Sequence, residues 1–211
     1  MIVIGGMIGL GKTTTADMIS KELNIPVYYE SVDDNKVLPL FYTASDEEIQ
    51  RMRYPFLLQL NFLKTRFHAI KEALLKDDAV LDRSIYEDSY FAIKNYELGR
   101  ISKLEIDLYL GLLDEMMQEI SGMKKKAPDV MVYLKGSFDT VLKRIKQRGR
   151  SYELDDALVE YYRFLWKDYD NWLLNEYKAS PVIIVDVDKE DIIFNEKDKV
   201  AFLEKLKKYL H

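Results

Sequence analysis

Residues 1–15 read MIVIGGMIGLGKTTT, and this stretch decides the fold. The β-branched run IVI at residues 2–4 is typical of a buried parallel strand. A glycine-rich segment of the form GxxxxGKT follows at residues 6–13, and a helical pattern runs over 13–23. A strand, such a loop and a helix in this order are the context that a phosphate-binding loop requires. The stretch therefore predicts a site for a nucleotide phosphate.

The predicted loop binds phosphate mainly through its backbone. Glycines let the chain curl so that N–H groups point inward, and the following helix adds its positive end. Lys12 is expected to neutralise the β and γ phosphates, and the Thr13 hydroxyl to take one position on Mg²⁺. The residues predicted to bind the nucleotide are Gly6, Met7, Ile8, Gly9, Leu10, Gly11, Lys12, Thr13 and Thr14. A chance glycine-rich turn is the alternative, and the flanking strand and helix disfavour it.

The composition limits the class of protein. The 211 residues suit one α/β domain, and 31 basic against 36 acidic side chains give a net charge of −5. This charge disfavours a protein that tracks a nucleic-acid backbone but leaves nucleotide monomers open. Cysteine is absent, which excludes disulfides and is compatible with a reducing cytosol. No apolar stretch approaches the roughly 20 residues that span a bilayer. The N-terminal residues lack the basic leader of a signal peptide and belong to the first predicted strand. We therefore expect a cytoplasmic protein without a membrane partner.

Strand and helix patterns alternate after the loop. Further strands are predicted at 27–30, 80–84, 129–134 and 181–187. Further helices are predicted at 54–75, 85–97, 103–120, 137–148, 158–177 and 200–210, whereas the apolar segment 36–44 shows no clean period. This alternation predicts an α/β fold with a parallel sheet of about five strands covered by helices on both faces. We expect a single domain over residues 1–211.

Polar residues stand at the carboxyl ends of two predicted strands, where α/β proteins place reactive groups. Glu30 closes the strand at 27–30, and Asp82 and Arg83 come at the end of the third strand. A solvated loop glutamate is an equally good interpretation of Glu30 from position alone. The Asp-Arg pair could instead be a helix cap and a surface ion pair.

Two further groups of polar residues interrupt helical patterns. Gln59 and Arg66 are two turns apart on the helix at 54–75 and share a face, although an amide at the helix rim is the simpler interpretation of Gln59. A basic cluster follows near 144–154 and exceeds what a helix dipole needs, which suggests a lid that closes over phosphates. Its members are Lys143, Arg144, Lys146, Arg148 and Arg150. The lysines at 124–126 are expected to form a solvated turn, with phosphate binding as a minor alternative.

Four further segments follow the phosphate loop in the sequence: YESVDDN at 29–35, VLPLFY at 37–42, LDRSIYED at 81–88 and KRIKQRGRSYE at 143–153. With the phosphate loop, they make the sequence resemble the deoxynucleoside kinase family over nearly the whole chain. The likeness is strongest to bacterial deoxyadenosine and deoxyguanosine kinases. It implies a P-loop kinase fold, and the four segments together are far more specific than the loop alone.

The resemblance implies roles for residues around the acceptor. Glu30 matches the general base that takes the proton from the 5′-hydroxyl. Arg83 matches the arginine that steadies this base and the 5′-oxygen. Asp82 stands where the family has an acid serving the Mg²⁺ shell. Tyr42 and Glu160 match the pair that holds the sugar 3′-hydroxyl.

Residues for the base and for the donor phosphates follow in the same way. Gln59, Arg66 and Asp88 correspond to the base-reading positions, and the acid implies adenine, guanine or cytosine rather than thymine. The overall likeness favours purines. The resemblance assigns the donor phosphates to the lid arginines Arg144, Arg148 and Arg150. The segment 185–191 resembles the loop beside the donor base.

The resemblance thus implies an ATP- and Mg²⁺-dependent kinase that converts a deoxynucleoside, most of all a purine deoxynucleoside, into its 5′-monophosphate in nucleotide salvage. It also implies a homodimer formed through helices matching 84–97 and 103–120.

Two other functions compete with this interpretation. A kinase for nucleoside monophosphates or other small metabolites could use the same loop, but it needs extra positive groups for the acceptor's phosphate. A nucleotide-dependent switch without a small-molecule acceptor needs a water-positioning residue and guanine-reading motifs, and no such pattern is found in the sequence.

Overall fold

The computed structural model describes residues 1–30, 32, 34–76, 78–121 and 127–210. The lysine run at 124–126 lies outside these residues. Five strands form one parallel sheet in the order β2-β3-β1-β4-β5, which confirms the predicted fold class. The strands are β1 Ile2–Gly6, β2 Val27–Tyr28, β3 Val80–Asp82, β4 Val130–Lys135 and β5 Val182–Asp186.

Helices connect the strands. They are α1 Lys12–Leu23, α2 Val37–Thr43, α3 Asp46–Met52, α4 Tyr54–Leu74, α5 Ile85–Glu97, α6 Lys103–Ser121, α7 Phe138–Arg148, α8 Leu158–Lys167, α9 Tyr169–Asn171 and α10 Glu196–Lys207. A 3₁₀ turn at Ser151–Glu153 follows α7, and a π-helical turn at Trp172–Glu176 follows α9. None of the helices in the described part of the chain is both long and apolar enough to cross a membrane.

The sheet divides the core into two layers because successive side chains of a strand point to opposite faces. Ile2 and Ile4 of β1 belong to one buried cluster together with Val132 of β4. Val3 of β1 belongs to the other cluster, together with Leu81 of β3. Burial on both faces explains why the strands have near-continuous apolar sequences.

The structure corrects the bounds or the type of several predicted elements. Strand β2 ends at Tyr28, so Glu30 lies two residues beyond it. The segment without a clean period contains helix α2, which buries Leu38 and Phe41 three residues apart. The final helix begins at Glu196 rather than at residue 200, because the Asn195 side chain accepts hydrogen bonds from the first amides of that helix.

The predicted helix at 158–177 is not continuous. It breaks after Lys167 and continues as α9 and the π-helical turn. At the break, the Asp168 carboxylate accepts a hydrogen bond from Lys94 Nζ at 2.7 Å. The hydroxyl of Tyr169, the next residue, reaches the sheet, where Gly6 N donates to it at 2.9 Å.

Candidate active site

A cleft of about 580 Å³ opens at the carboxyl edge of the sheet, where the loop after β1 and the end of β3 meet. Strand β1 lies between β3 and β4, so the strand order reverses direction beside it. Such a switch point leaves a crevice outside the strand ends and is the usual place for a ligand in an open α/β sheet. The cleft is lined by residues from the loop, α1, α2, α4, α5 and the predicted lid.

The phosphate loop has the backbone that its sequence predicts. Gly9 and Gly11 have φ angles of 84° and 91°, in the left-handed region that favours glycine. A Cβ on Gly6 would lie 2.7 Å from the carbonyl oxygen of Leu134. Helix α1 starts at Lys12, and Gly11 has no side chain that could cap it, so the first amides of the helix suit a bound anion.

Lys12 folds over its own loop. Its Nζ donates to the carbonyl oxygens of Gly6 and Met7 at 2.8 and 2.9 Å. Burial, and next the nearby Arg83 guanidinium, lower the pKa of Lys12 to about 7. The negative charge of a bound phosphate would favour the protonated ammonium, so nucleotide binding and protonation of Lys12 reinforce each other.

Thr13 and Asp82, the residues predicted to serve a metal, both line the cleft and contact each other. Thr13 Oγ1 donates to Asp82 Oδ2 at 2.5 Å, and Asp82 Oδ1 is buried without a hydrogen-bond partner among the described residues. Burial raises the pKa of Asp82. The residues fit Mg²⁺, which prefers oxygen ligands and is usually held by one or two carboxylates together with substrate phosphates. Within the described ranges no three His, Cys, Asp or Glu side chains form a metal-binding cluster.

Glu30 is held between two arginines. Its Oε1 lies 2.9 Å from Arg83 Nε and 3.0 Å from Arg66 Nη2. Burial disfavours the charge of Glu30, but Arg83, Arg66 and Lys12 outweigh it and lower the pKa of the carboxyl to about 2. Glu30 is therefore ionised throughout the physiological pH range.

Arg83 has a strained backbone. Its φ of 79° is rarely adopted by a residue with a side chain, and its N–H donates to the carbonyl oxygen of Ile4 at 3.0 Å. Backbone strain of this kind persists where the surrounding structure fixes it, often at functional sites. The guanidinium packs over the ring of Phe91, 4.8 Å from its centre. Phe91 also lines the cleft. It follows Asp88 by three residues and so shares its face of α5, a spacing that could have predicted its place from the sequence.

Gln59 and Asp88 line the cleft and are almost fully buried. Arg66 uses its donors on protein groups: Asp88 Oδ2 at 3.1 Å, the carbonyl oxygen of Asp82 at 2.8 Å, and Glu30. Arg66 therefore positions carboxylates at this site. Burial raises the pKa of Asp88 to about 6, although the Arg66 guanidinium favours its charged form.

The lid arginines line the same cleft. Arg144 Nη1 donates to the carbonyl oxygen of Leu10 in the phosphate loop at 2.8 Å. Arg148 Nη2 donates to Glu153 Oε2 at 2.5 Å, and Arg150 Nη1 lies 3.6 Å from Glu153 Oε1. One arginine of the predicted lid thus contacts the phosphate loop, and the other two pair with the buried Glu153.

The structure does not bring Glu160 to the site. Its side chain is 83 % exposed and lies 3.6 Å from Arg163 on the surface of α8. Glu153, by contrast, lines the same cleft as Tyr42, and only 4 % of it is exposed. The expectation for Glu160 is wrong because helix α8 begins after the lid and turns residue 160 towards solvent. The signal for Glu153 was present in the sequence, since it closes the lid segment KRIKQRGRSYE.

Tyr42, to which the resemblance assigns the sugar 3′-hydroxyl, lines the cleft. Its ring stacks on Tyr152 of the lid at a centroid distance of 5.9 Å. Burial, and next the neighbouring Tyr161 and Tyr162, raise the pKa of Tyr42 well above its ordinary value. Its hydroxyl is therefore neutral and can donate a hydrogen bond to a ligand.

A phosphate loop, a hydroxyl and carboxylate suited to Mg²⁺, an ionised glutamate between arginines and an arginine lid share one cleft. This combination defines a P-loop kinase with separate sites for donor and acceptor.

Comparison with known proteins agrees with this class. The family model described as deoxynucleoside kinase matches residues 2–211. The deoxyguanosine kinase of Lactobacillus acidophilus is 46 % identical over 209 residues, covering 98 % of this chain and 89 % of that protein. The deoxyadenosine kinase of the same organism is 40 % identical over 198 residues, covering 92 % and 89 %. The solved deoxyadenosine kinase from M. mycoides with bound dCTP has a TM-score of 0.79 at 26 % identity, covering 99 % of this chain and 100 % of that one.

The chain therefore belongs to the deoxynucleoside kinase family. This confirms the resemblance drawn from the sequence, the P-loop kinase fold and the assignment as a kinase.

Proposed function

We propose that the chain transfers the γ-phosphoryl group of ATP to the 5′-hydroxyl of a purine deoxynucleoside, giving the 5′-monophosphate. The observation that carries this proposal is the ionised Glu30, which Arg66 and Arg83 hold inside the cleft that contains the phosphate loop. A carboxylate in this place can orient a hydroxyl for transfer.

The donor half of the cleft consists of residues 8, 9 and 11–14 of the phosphate loop and the lid arginines Arg144, Arg148 and Arg150. The loop amides and Lys12 bind the phosphate oxygens of ATP, and the lid arginines neutralise the charge that spreads over the moving phosphoryl group. Thr13 and Asp82 would hold Mg²⁺, which supplies further charge neutralisation between the phosphates when it is bound. Segment 185–191 is proposed to lie beside the donor base.

At the acceptor, the 5′-oxygen attacks the γ-phosphorus while the bond to the β,γ-bridging oxygen breaks and ADP leaves. The proton of the hydroxyl passes to a Glu30 carboxylate oxygen. Because the transition state of phosphoryl transfer is loose, the oxygen needs positioning more than strong activation, and a weakly basic carboxylate suffices. Arg83, paired with Glu30, steadies both the base and the attacking oxygen.

The acceptor half of the cleft consists of Glu30, Tyr42, Gln59, Asp88 and Glu153, with Arg66 and Arg83 holding its carboxylates. Tyr42 and Glu153 are proposed to bind the sugar 3′-hydroxyl. Gln59 offers a donor and an acceptor to a base edge, and Asp88 accepts from exocyclic amines.

Deoxyguanosine is proposed as the preferred acceptor, ahead of deoxyadenosine. Guanine presents an amine and a ring N–H side by side. A carboxylate such as that of Asp88 can accept a hydrogen bond from each of them. Two relatives described as deoxyguanosine kinases, from Lactobacillus acidophilus and Lactobacillus johnsonii, are 46 % and 45 % identical to this chain and support the choice.

Residues 1–211 are proposed to act as one catalytic domain with a lid at about 144–154, and two chains are proposed to form a homodimer. Helix α6 supports the dimer, since Leu104, Leu108 and Leu112 expose 80, 59 and 38 % of their surface on one face of it. The variant Leu108→Glu should have the mass of a monomer by light scattering. A mass unchanged from that of the dimer would contradict this interface. The cytoplasmic location stays a prediction from the sequence.

Incubation with ATP, Mg²⁺ and each of the four common deoxynucleosides in turn tests the proposed reaction. We expect monophosphate formation with deoxyguanosine and deoxyadenosine. Turnover of a nucleoside monophosphate, with none of any deoxynucleoside, would overturn the proposal in favour of the competing metabolite kinase. Parallel reactions with ribonucleosides show how far the sugar site discriminates.

A further inference from the structure

Glu87 is a fully buried carboxylate to which the transfer reaction assigns no role. Its Oε1 accepts from Gly6 N at 3.1 Å and lies 3.3 Å from Arg83 Nη1, and its Oε2 accepts from Ser84 N at 2.9 Å. Ser84 is the N-cap of α5, so this last bond completes a capping box. The other two contacts exceed what a helix cap needs.

Tyr169, the first residue of α9, completes this arrangement. Its hydroxyl accepts from Gly6 N at 2.9 Å and donates to Glu87 Oε1. The ring is buried among aromatic side chains, and the break before α9 brings it to the sheet. The first amide of the phosphate loop is therefore held by two side chains, one from α5 and one from α9.

The sequence makes room for these contacts. A Cβ on Gly5 would lie 2.6 Å from Met131 Sδ and 3.4 Å from Glu87 Oε2. Gly5 is not one of the glycines of the GxxxxGKT segment, so phosphate binding does not require it. Its lack of a side chain lets the Glu87 carboxylate approach the strand that leads into the loop.

Glu87 connects the two halves of the cleft. Through Gly6 it fixes the start of the donor loop, and through Arg83 it contacts the partner of Glu30 in the acceptor half. Phosphoryl transfer depends on the alignment of the two reacting groups, and small displacements are costly. The Gly6 amide donates to Glu87 and Tyr169 and so does not contact the nucleotide. The two side chains therefore influence transfer through the alignment of the loop.

We propose that Glu87 and Tyr169 form a positioning pair that aligns the phosphate loop with Arg83 and Glu30 for transfer. This inference rests on the proposed kinase reaction. The pair touches neither substrate and acts through Gly6 and Arg83. Its removal should lower kcat while KM for ATP and for the deoxynucleoside changes little.

Tyr169→Phe removes only the hydroxyl and is the first test. Tyr90→Phe is the matched control, because Tyr90 lies in the same aromatic cluster and donates its buried hydroxyl to the carbonyl oxygen of Leu165 at 2.6 Å, away from the loop. We expect kcat of Tyr169→Phe to fall about 10-fold to 100-fold, as for loss of a hydrogen bond to a charged group, with both KM values within about 2-fold. The melting temperature should fall no further than that of Tyr90→Phe.

Hydrogen exchange of the Gly6 amide, followed by NMR, gives a readout that does not depend on the reaction. We expect this amide to exchange at least about 10-fold faster in Tyr169→Phe than in the wild type, and at an unchanged rate in Tyr90→Phe. If the wild type turned over no deoxynucleoside, the proposed reaction would fail, yet the exchange rates would still test the contacts of Gly6.

Glu87→Gln provides a second variant. The amide offers one acceptor oxygen where the carboxylate offers two, so one N–H of Gly6 or Ser84 faces another donor. The same fall in kcat, with KM values retained, is expected. The proposal would be overturned if Tyr169→Phe and Tyr90→Phe behaved alike, or if Gly6 exchanged faster in Tyr169→Phe and Glu87→Gln while kcat stayed within about 2-fold of the wild type.

Discussion

The donor and acceptor halves of the cleft are built in different ways. The donor half is dominated by one contiguous run, residues 6–14, in which left-handed glycines shape the backbone and residues 8, 9 and 11–14 line the cleft. The acceptor half draws one side chain each from five places: the segment after β2, then α2, α4, α5 and the lid. One half therefore depends on backbone shape and the other on the identity of separate side chains.

This difference predicts where substitutions should be tolerated. The loop interior contains Met7, Ile8 and Leu10, which are more apolar than many such loops, yet Met7 and Leu10 simply pack into the core. In the acceptor half, Asp88 and Glu153 are buried carboxylates that pair with Arg66 and with the lid arginines Arg148 and Arg150. Replacing one of them leaves other buried groups unsatisfied, which is costly. We therefore expect base and sugar selectivity to depend on the acceptor half alone.

The largest effect is expected from Glu30→Gln. An amide cannot take the proton of the 5′-hydroxyl, and it leaves Arg66 and Arg83 without their shared anion. We expect kcat to fall about 10²-fold to 10⁴-fold, the range for loss of a general base, while the Kd of a non-hydrolysable ATP analogue changes little. Glu160→Gln on the surface is the control. A Glu30→Gln enzyme with near-normal kcat would remove Glu30 from this role.

A smaller effect should separate Glu153 from Glu160. In Glu153→Gln we expect the preference for a 2′-deoxynucleoside over its 2′,3′-dideoxy analogue to shrink about 10-fold, because a charge-assisted bond to the 3′-hydroxyl is lost. Glu160→Gln should keep the wild-type preference, since its side chain is exposed. Kinetics with the two analogues measure this. The reverse result would return Glu160 to the sugar site.

An effect of about the same size concerns pH. Because burial raises the pKa of Asp88 to about 6, its carboxyl becomes protonated as the pH falls through that value and loses acceptor capacity. Arg66 faces the carboxyl and is ionised throughout. We expect kcat/KM for deoxyguanosine to fall about 10-fold from pH 7 to pH 5, with a limb near pH 6. Asp88→Asn should abolish this limb, and a limb that persisted there would assign it to another group.

Stability has the opposite dependence on the same group. The pKa of Asp88 is higher in the folded than in the unfolded chain, so the folded state binds its proton more tightly. The stability that Asp88 contributes is present in full below the unfolded pKa and is lost as the pH rises through about 6. Activity with amino-bearing bases thus needs the form of Asp88 that stabilises the fold less.

Much of the donor half could be predicted from the sequence because its parts are adjacent in the chain. The strand run at 2–4, the spacing of Gly6 and Gly11 and the start of α1 constrain one another locally. The parallel sheet also followed from alternation of elements, since buried strands require apolar residues on both faces. Helix α2 escaped prediction because seven residues with a proline give too few turns to show a period.

The acceptor half shows where such reasoning ends. Its residues meet only after folding, so no local pattern links Tyr42 to an acid more than a hundred positions away. The resemblance assigned the partner of Tyr42 to Glu160, whereas in the structure Glu160 is exposed and Glu153 lines the cleft. Glu87 escaped notice because its contacts with Gly6 and Tyr169 span 81 and 82 positions in the chain.

The most direct test of the two-part site is the ratio of kcat/KM for deoxyguanosine to that for thymidine in Lys12→Ala and Asp88→Ala. Lys12→Ala should lower both values about 10²-fold to 10³-fold and leave the ratio within about 2-fold of the wild type, because the donor half does not contact the base. Asp88→Ala should lower the ratio about 10-fold. The variant loses the hydrogen bond from the exocyclic amine of guanine, whereas thymine has no such amine. A ratio that shifted in Lys12→Ala and not in Asp88→Ala would contradict the division of the cleft into donor and acceptor halves.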